Sequence, residues 1–366
     1  MKKLLFFAAV LLLVLAVQTP GSAKAPRPRD TEVPPLTGKI NLVWQHADEP
    51  AVDLSRLDKV QGLNVVSPCW YVIDNEYGQV ADHSVEGYVQ RAHARGYRVW
   101  PLITNGFNPD RTRRVLNDVN AQHHVIDQLL EQAQKHRFDG INLDFENIYE
   151  ADRDKLTDFV RRIRHKANEA GLTLSMDVTV PGGSPNWSLC YDRKALARHL
   201  DYVMLMAYDQ YPRGSRTPGP TASYNWDADR VAATLAEVPA RKLVLGIPFY
   251  MRLWHYDAAA DRWRAETLTM PQAEKLRAEK GILPTWQSDW LPDMQMFRCS
   301  YEENGTKYMF WLENTGSLYL KTRLINQYDL AGSAAWRFGF ETPDVWPMLQ
   351  DRLENEGKGF PKQTAR

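Results

Sequence analysis

A run at positions 138–147 (FDGINLDFEN) carries the side chains best suited to proton transfer. Polar and apolar residues alternate strictly along it, which predicts a β-strand with one apolar face and one face bearing Asn142, Asp144 and Glu146. Burying an amide and two carboxyls costs several kcal/mol unless they are hydrogen-bonded. Three such groups on one face therefore favour a catalytic role over simple capping of the strand end.

Asp144 and Glu146 lie two positions apart on the same side of this predicted strand, which places their Cα atoms about 7 Å apart. Like charges at that separation resist double ionisation, so the pKa of one carboxyl is expected to rise. A glutamic acid that stays protonated at neutral pH can act as a general acid. Protonating a glycosidic oxygen, the difficult part of expelling an alkoxide, is chemistry that such a group can do.

The elements that must position these groups follow from eight short apolar runs, at 40–44, 63–68, 98–103, 140–145, 172–180, 202–206, 243–249 and 331–336. Amphipathic stretches lie between most of them, at 84–95, 121–136, 151–170, 227–238 and 317–328. Strands and helices in alternation predict a parallel sheet, and eight repeats predict a closed barrel. We predict an α/β fold, a (β/α)8 TIM barrel over residues 38–355, with Glu146 at the carboxyl-terminal face that carries barrel active sites.

About eighty residues separate the seventh run from the eighth, far more than one helix needs. They include a helical piece at 270–280 and an apparent strand at 308–312, which predict a small α+β insertion at about 254–315. Either the insertion walls a cleft at the carboxyl-terminal face, or it only packs on the rim of the barrel.

Positions 139–146 (DGINLDFE) resemble the signature of glycoside hydrolase family 18, the chitinase family, in which an Asp-Gly pair precedes three acidic or amide residues that end in the catalytic Glu. Positions 206–209 (MAYD) look like the Met-x-Tyr-Asp element of that family. Positions 245–250 (LGIPFY), followed by Arg252, look like its seventh-strand element, with Met251 where a Gly is usual. Trp336 stands where the family places an aromatic floor under the sugar. The resemblance covers most of residues 38–350.

The resemblance implies a retaining mechanism in which the N-acetyl oxygen of the substrate attacks the anomeric carbon and no carboxylate acts as nucleophile. It implies that Glu146 is the acid and then the base. It implies that Asp144 orients the acetamido group and stabilises the oxazolinium charge, and that Tyr208 donates a hydrogen bond to the acetamido oxygen. The sugar-binding residues carried over from the family motifs are Asn142, Met206, Asp209, Tyr250, Arg252 and Trp336.

Asn142 departs from the family pattern, because that position is often Asp and an amide cannot share a proton with Asp144. This Asn, together with Phe145, Asn147 and the run 334–339 (AAWRFG), is most similar to bacterial spore cortex-lytic and cortical fragment-lytic glucosaminidases. Those enzymes often carry peptidoglycan-binding LysM repeats, and the sequence shows no such repeat. Peptidoglycan, its fragments and chitin oligomers all stay open as substrates.

Further candidates follow the first three strands. Trp44, Trp70, Tyr71 and Asn105 either line the sugar cleft or pack on the rim, and we assign Trp70 and Asn105 to substrate binding. Asp177, near the end of the fifth strand, either reaches the reaction centre or forms a salt bridge across the barrel.

No metal or organic cofactor is predicted. His46, with Asp48 and Glu49 close behind it, fits a solvated loop better than a metal site, because no further ligand cluster is visible. Lys and Arg together number 45, as do Asp and Glu, so the net charge of zero argues against nucleic acid as a partner. Twelve Trp and sixteen Tyr suit both a core and a cleft in which sugar faces stack on rings.

The amino terminus indicates export. Lys2 and Lys3 precede an apolar run at 4–17 and several small residues, which predicts a signal peptide over 1–23; an uncleaved membrane anchor is the alternative. A proline-rich linker at 24–37 and a tail at 356–366 would flank the barrel domain. We expect a monomer outside the cell or in the envelope of a bacterium, without stable membrane insertion once the leader is removed.

Three functions remain under consideration. The first is a secreted hydrolase of β-1,4 linkages at N-acetylglucosamine in peptidoglycan or chitin-type polysaccharide. The second is a catalytically silent, chitinase-like sugar-binding protein, which the presence of Glu146, Asp144 and Tyr208 disfavours. The third is an endo-β-N-acetylglucosaminidase acting on glycoprotein glycans, which would use the same residues.

Overall fold

The computed structural model describes residues 36–46 and 60–356. The predicted signal peptide, positions 24–35 of the predicted linker and positions 357–366 of the predicted tail lie outside this part of the chain. The strands are β1 (Ile40–Gln45), β2 (Val65–Ile73), β3 (Val80–Asp82), β4 (Arg98–Val99), β5 (Leu102–Thr104), β6 (Gly140–Asp144), β7 (Thr173–Thr179), β8 (Tyr202–Met206), β9 (Leu243–Pro248), β10 (Tyr250–Asp257), β11 (Arg262–Thr269), β12 (Trp290–Leu291), β13 (Met296–Glu303), β14 (Thr306–Trp311) and β15 (Gly332–Trp336).

Eight parallel strand positions close into a barrel, which confirms the predicted fold. Neighbours run β1, β2, β5, β6, β7, β8, β9 and β15, and β15 pairs with β1 to complete the circle. The third position is split into β4 and β5 around Trp100 and Pro101. Proline has no amide hydrogen to donate to a sheet ladder, so the strand is interrupted there.

The helices are α1 (Tyr88–His93), α2 (Pro109–Asn117), α3 (Val119–His136), α4 (Arg153–Glu169), α5 (Arg193–His199), α6 (Tyr224–Leu235), α7 (Met270–Glu279), α8 (Thr315–Lys321), α9 (Arg323–Gln327) and α10 (Val345–Asn355). The helix predicted at 84–95 is shorter, because Gly87 adopts a positive φ of 72° at its amino-terminal cap. The one predicted at 317–328 is divided at Thr322 into α8 and α9, and the Thr322 hydroxyl donates to the Leu318 carbonyl at 2.7 Å, a type of contact that often bends helices.

The predicted insertion between the seventh and eighth barrel strands is confirmed as a small α+β unit. Its sheet has the order β11–β10–β14–β13–β12, with antiparallel pairs throughout, and α7 follows β11. The first strand, β10, begins at Tyr250, directly after β9 ends at Pro248. Barrel and insertion are therefore joined at the carboxyl-terminal face without a linker, and the first residues of β10 face the barrel mouth.

Candidate active site

Strand β6 separates its two faces as the alternation predicts. Ile141, Leu143 and the following Phe145 belong to the large apolar core that packs beneath the surrounding helices. Asn142 and Asp144 point the other way, toward the barrel interior, where Asn142 is fully buried and Asp144 is 7% exposed. The polar side chains of β6 thus point toward the barrel axis, because its apolar side chains pack against the helices outside the barrel.

A cleft of about 540 Å³ opens above the barrel at its carboxyl-terminal face. Eight residues singled out in the sequence come together in its walls: Asp144, Glu146, Met206, Tyr208, Asp209, Tyr250, Arg252 and Trp336. They come from β6, β8, β10 and β15 or from the residues just after those strands. Trp44 of β1 also lines the cleft, its ring 6.1 Å from that of Trp336.

The electrostatics of the cleft favour a protonated Glu146. Burial raises its pKa well above the ordinary value, and the negative charges of Asp144 and Asp209 raise it further. Among the described residues the Glu146 carboxyl has no hydrogen-bond partner, so it is open to a ligand in the cleft. A neutral carboxyl that faces a cleft can donate a proton to a bound molecule.

Asp144 lies deeper than Glu146, and its pKa depends on a third carboxyl, that of Asp177. Burial raises the pKa of Asp144, and the charge of Asp177 adds to the effect. The Oδ1 atom of Asp144 is buried without a hydrogen-bond partner in the described part of the chain. Burial likewise raises the pKa of Asp177, although a hydrogen bond from Asn142 opposes the shift. Asp144 and Asp177 are therefore two buried acids close to the partly buried Glu146.

Asn142 does not line the cleft but lies beneath it, and its part in substrate binding stays a prediction. Its Oδ1 accepts hydrogen bonds from Trp44 Nε1 at 2.8 Å and from Ser67 Oγ at 3.3 Å, while its Nδ2 donates to Asp177 Oδ1 at 2.8 Å. It lies one inward position before Asp144 and hence about 7 Å further down the barrel. The Asn142 amide therefore links Trp44 and Ser67 to Asp177 through hydrogen bonds beneath the site. It gives Asp177 a hydrogen-bond donor, which a carboxylate at this position could not provide.

Asn105 also does not line the cleft, because its side chain is turned to the backbone of Glu146. Its Nδ2 donates to the Glu146 carbonyl oxygen at 2.7 Å, and its Oδ1 accepts from the Glu146 amide at 3.1 Å. A second donation, to Thr112 Oγ1 at 2.8 Å, fixes the side chain from below. Asn105 thereby holds the end of β6 in position and is only 1% exposed.

Trp70 does not line the cleft, because strand β2 contains an irregularity. Its pairing with β5 shifts between Cys69 and Tyr71, so one extra residue is accommodated there. Trp70 and Tyr71 consequently both lie in the outer core, where the Trp70 ring meets that of Tyr88 at a centroid distance of 4.9 Å. Cys69 faces the cleft in their place.

One wall of the cleft is a hydrogen-bonded cluster around Asp209. Its Oδ1 accepts from Tyr250 Oη at 2.9 Å and from Arg252 Nη2 at 2.7 Å. Asp209 adopts φ of 55°, the left-handed conformation that turns the chain sharply after β8. Tyr208, immediately before it, is partly buried, and desolvation raises the pKa of its phenol, which therefore stays a hydrogen-bond donor. Thr267 Oγ1 of β11 accepts from Arg252 Nη1 at 2.6 Å, so the insertion holds the guanidinium in place.

The cleft contains residues that the sequence analysis missed or left open. Asp177 was an open candidate, and the structure brings it to the site. Phe107, which is 42% exposed, and Arg337 and Phe340 also line the cleft without having been singled out. Their shared signal was only their position, each lying a few residues after a barrel strand.

Within residues 36–46 and 60–356, no group of three or more His, Cys, Asp or Glu side chains is arranged to hold a metal ion. His46 lines the cleft, whereas Asp48 and Glu49 lie outside the described residues. In the same part of the chain, no helix combines the length and the apolar character that a bilayer crossing requires.

Bacterial proteins and solved structures resemble this chain. It is 24% identical to the uncharacterized glycosylase YvbX of Bacillus subtilis over 285 residues, 75% of this chain and 80% of that protein. It is 26% identical to the cortical fragment-lytic enzyme of the same organism over 266 residues, 71% of this chain but only 61% of that protein. A chitinase structure from Chromobacterium violaceum superposes with a TM-score of 0.74 at 25% identity, over 84% of this chain and 97% of that one.

The fold is shared with more distant proteins as well. The spore cortex-lytic enzyme SleL of Bacillus megaterium gives a TM-score of 0.75 at 19% identity, over 91% of this chain and 77% of that one. Residues 85–341 match the glycosyl hydrolases family 18, a stretch that contains every cleft residue from β5 to β15 and the complete insertion. The chain is a glycoside hydrolase, and it belongs to family 18 of the glycosyl hydrolases.

Proposed function

We propose that the protein hydrolyses β-1,4 linkages at N-acetylglucosamine in peptidoglycan or chitin-type polysaccharide, with retention at the anomeric carbon. The observation that carries the proposal is the convergence of Glu146, Asp144 and Tyr208 on one cleft whose floor includes Trp336. The resemblance to chitinases and to a cortical fragment-lytic enzyme supports both polymer classes.

In the first step, Glu146 gives its proton to the glycosidic oxygen as the bond to the anomeric carbon breaks. The acetamido oxygen of the same sugar attacks that carbon, and the electron pair of the broken bond leaves with the protonated oxygen. An oxazolinium results. In the second step, the Glu146 carboxylate takes a proton from water, the hydroxyl adds to the anomeric carbon, and the acetamido group is regenerated.

The other cleft residues stabilise charge and position the sugar. The oxazolinium carries a positive charge, which the neighbouring carboxyl of Asp144 stabilises in a buried site where electrostatic interactions are strong. The Tyr208 phenol, kept protonated by burial, donates to the acetamido oxygen. Trp336 offers its face to the apolar side of the pyranose, while the Asp209 and Arg252 pair binds hydroxyls at the wall.

We further propose that the protein is exported and acts as a monomer outside the cytoplasm. The polymers that its relatives are named for lie outside the bacterial cytoplasm, and the amino-terminal sequence has the character of a leader. Comparing the amino terminus of the protein recovered from culture medium with that of the cell-bound form tests this point.

Product analysis tests the proposed function directly. Protein lacking residues 1–23 is incubated with purified peptidoglycan, chitin oligomers and a glycoprotein carrying N-linked glycans, and the products are identified by mass spectrometry. We expect fragments with reducing N-acetylglucosamine ends from one of the first two polymers, and none from Glu146→Gln. Release of glycans from the glycoprotein alone would indicate an endoglycosidase, and inert wild-type protein that still binds the sugars would indicate a silent lectin.

The contact between Asn142 and Asp177 predicts a reciprocal pair of mutant effects. Asn142→Asp places two carboxylates in a contact that is 2.8 Å in the wild type, so we expect a lower melting temperature and lower kcat. Exchanging both residues, Asn142→Asp with Asp177→Asn, restores one carboxyl and one amide and should recover part of both losses. A double-mutant cycle on kcat and on unfolding free energy should give a coupling of about 1–3 kcal/mol, and additive effects would contradict the argument.

A further inference from the structure

A second cavity, of about 850 Å³, adjoins the catalytic cleft. The two share Glu146, Met206, Tyr208 and Asp209, but the second does not reach Trp336. A general acid must lie at the bond that it breaks, between the sugar that reacts and the sugar that leaves. If the reacting sugar rests on Trp336, the second cavity receives the leaving sugar, and we call it the leaving-group branch.

The walls of the leaving-group branch come from the loops after β7 and β8 and from α6, and include Gly182, Trp187, Gln210, Trp226 and Arg230. Trp187 is 44% exposed, which offers an aromatic surface to a sugar. Arg230 is the one basic side chain among the residues that line this branch.

The Arg230 guanidinium is held in place but not neutralised. Its Nη1 donates to the Pro181 carbonyl oxygen at 2.9 Å, and it lies close over Gly182, where an added Cβ would stand 3.2 Å from Nη1. Its Nε is buried and has no hydrogen-bond partner, and in the described part of the chain no carboxylate forms an ion pair with it. A fixed guanidinium without a counter-charge in a cleft is suited to bind an anion through two parallel hydrogen bonds.

The branch is electrostatically polarised along its length. Glu146 and Asp209 stand at the end shared with the catalytic cleft, and Arg230 stands among the residues that the branch does not share. At the shared end Glu146 is kept protonated by its raised pKa and Asp209 is paired with Arg252, so a carboxylate on the leaving sugar would be attracted to the end of the branch that holds the Arg230 guanidinium. Its position would thus orient the sugar as well as add affinity.

We propose that Arg230 recognises a carboxylate carried by the leaving sugar, so that the enzyme prefers a polymer in which N-acetylglucosamine is linked to an acidic sugar over one made of N-acetylglucosamine alone. In peptidoglycan such a carboxylate belongs to the lactyl ether of muramic acid or to the peptide attached to it. This inference rests on the proposed function and names the substrate class within it.

The test compares matched oligosaccharides that differ only at the leaving sugar. One carries a free lactyl carboxylate, one has that group reduced to the primary alcohol, and one has it extended by a short peptide. For the wild type we expect kcat/KM on the free acid to exceed that on the alcohol by about 10- to 100-fold. In Arg230→Gln this ratio should approach one, and in Arg230→Lys it should be intermediate, because the charge is kept but the paired donors are lost.

Arg241→Gln is the matched control, because Arg241 is an exposed arginine that does not line the leaving-group branch. It should keep the wild-type ratio, and the melting temperature of each variant shows whether it is folded. Binding of the three oligosaccharides to the Glu146→Gln protein, with and without Arg230→Gln, gives a readout that needs no turnover. A preference for the peptide-bearing substrate, lost in Arg230→Gln, would place the carboxylate on the peptide instead of the lactyl group.

Two failures are distinguishable. If the wild type cleaves these substrates but its ratio is unchanged in Arg230→Gln, the role of Arg230 is refuted while the proposed function stands. If the wild type cleaves and binds none of them, the proposed function fails and this inference fails with it.

Discussion

Replacing Glu146 by Gln is expected to lower kcat on an N-acetylglucosamine oligosaccharide by about 10²- to 10⁴-fold with little change in KM. The amide keeps the shape of the side chain but has no proton acidic enough to give to the glycosidic oxygen. The Asn105 hydrogen bonds that position this residue run to its backbone, so they survive the substitution. Steady-state kinetics with the wild type alongside give the measurement.

An aryl glycoside with an acidic phenol as leaving group sharpens this test. Such a phenol departs without protonation, so the first step should be impaired much less in Glu146→Gln than it is for a sugar leaving group. Single-turnover measurements separate that step from the addition of water, in which Glu146 acts as base. An equal loss for both leaving groups would show that Glu146 is not the proton donor.

The same variant should be at least as stable as the wild type, which separates chemistry from folding. Burial raises the folded-state pKa of Glu146 above its ordinary 4.5. At neutral pH the Glu146 carboxyl therefore ionises more readily in the unfolded chain than in the folded one, which lowers the free energy of unfolding. The stability that the protonated group provides is complete below pH 4.5 and is lost as the pH rises through the folded-state pKa. Glutamine does not ionise, so we expect Tm to rise by roughly 2–4 °C at pH 7 and to match the wild type at pH 4.

The barrel and its main catalytic strand were predictable because both depend on periodic patterns. Eight apolar runs separated by helical stretches leave few topologies other than a closed parallel barrel. Alternation along β6 likewise determines which side chains face inward, and Asp144 and Glu146 lie where that alternation puts them. The period of apolar residues and the spacing of the strands depend only on residues close together in the chain, so both can be read from a single sequence.

Depth in the barrel and strand register depend on contacts between distant parts of the chain, and they explain why Asn142 and Trp70 do not line the cleft. Asn142 shares a face with Asp144 yet lies one inward position deeper, so it meets Trp44 and Asp177 instead of solvent. Trp70 is turned outward by an irregularity that shows only in the pairing of β2 with β5. The residues of the leaving-group branch come from four separate chain segments, and only folding brings them to one cavity.

Asp144→Asn is expected to lower kcat by about 10²- to 10³-fold, because it removes the carboxyl whose ionised form stabilises the oxazolinium while leaving the acid in place. The loss should appear with both sugar and aryl leaving groups, since both routes form the same cation. This separates Asp144 from Glu146, whose replacement affects the first step mainly when a sugar departs.

The pH profile supplies a second, independent signature of Asp144. After burial, the charge of Asp144 is the largest cause of the raised Glu146 pKa, and Asp209 contributes less. The alkaline limb of the pH profile of kcat/KM marks the loss of the proton from the general acid. Because the carboxyls interact, the pKa read from this limb belongs to the group of carboxyls together. Removing one charge from the cluster lets Glu146 ionise earlier, so the limb should move to lower pH in Asp144→Asn. A limb that stays in place or moves to higher pH would mean that Asp144 does not act on the proton donor.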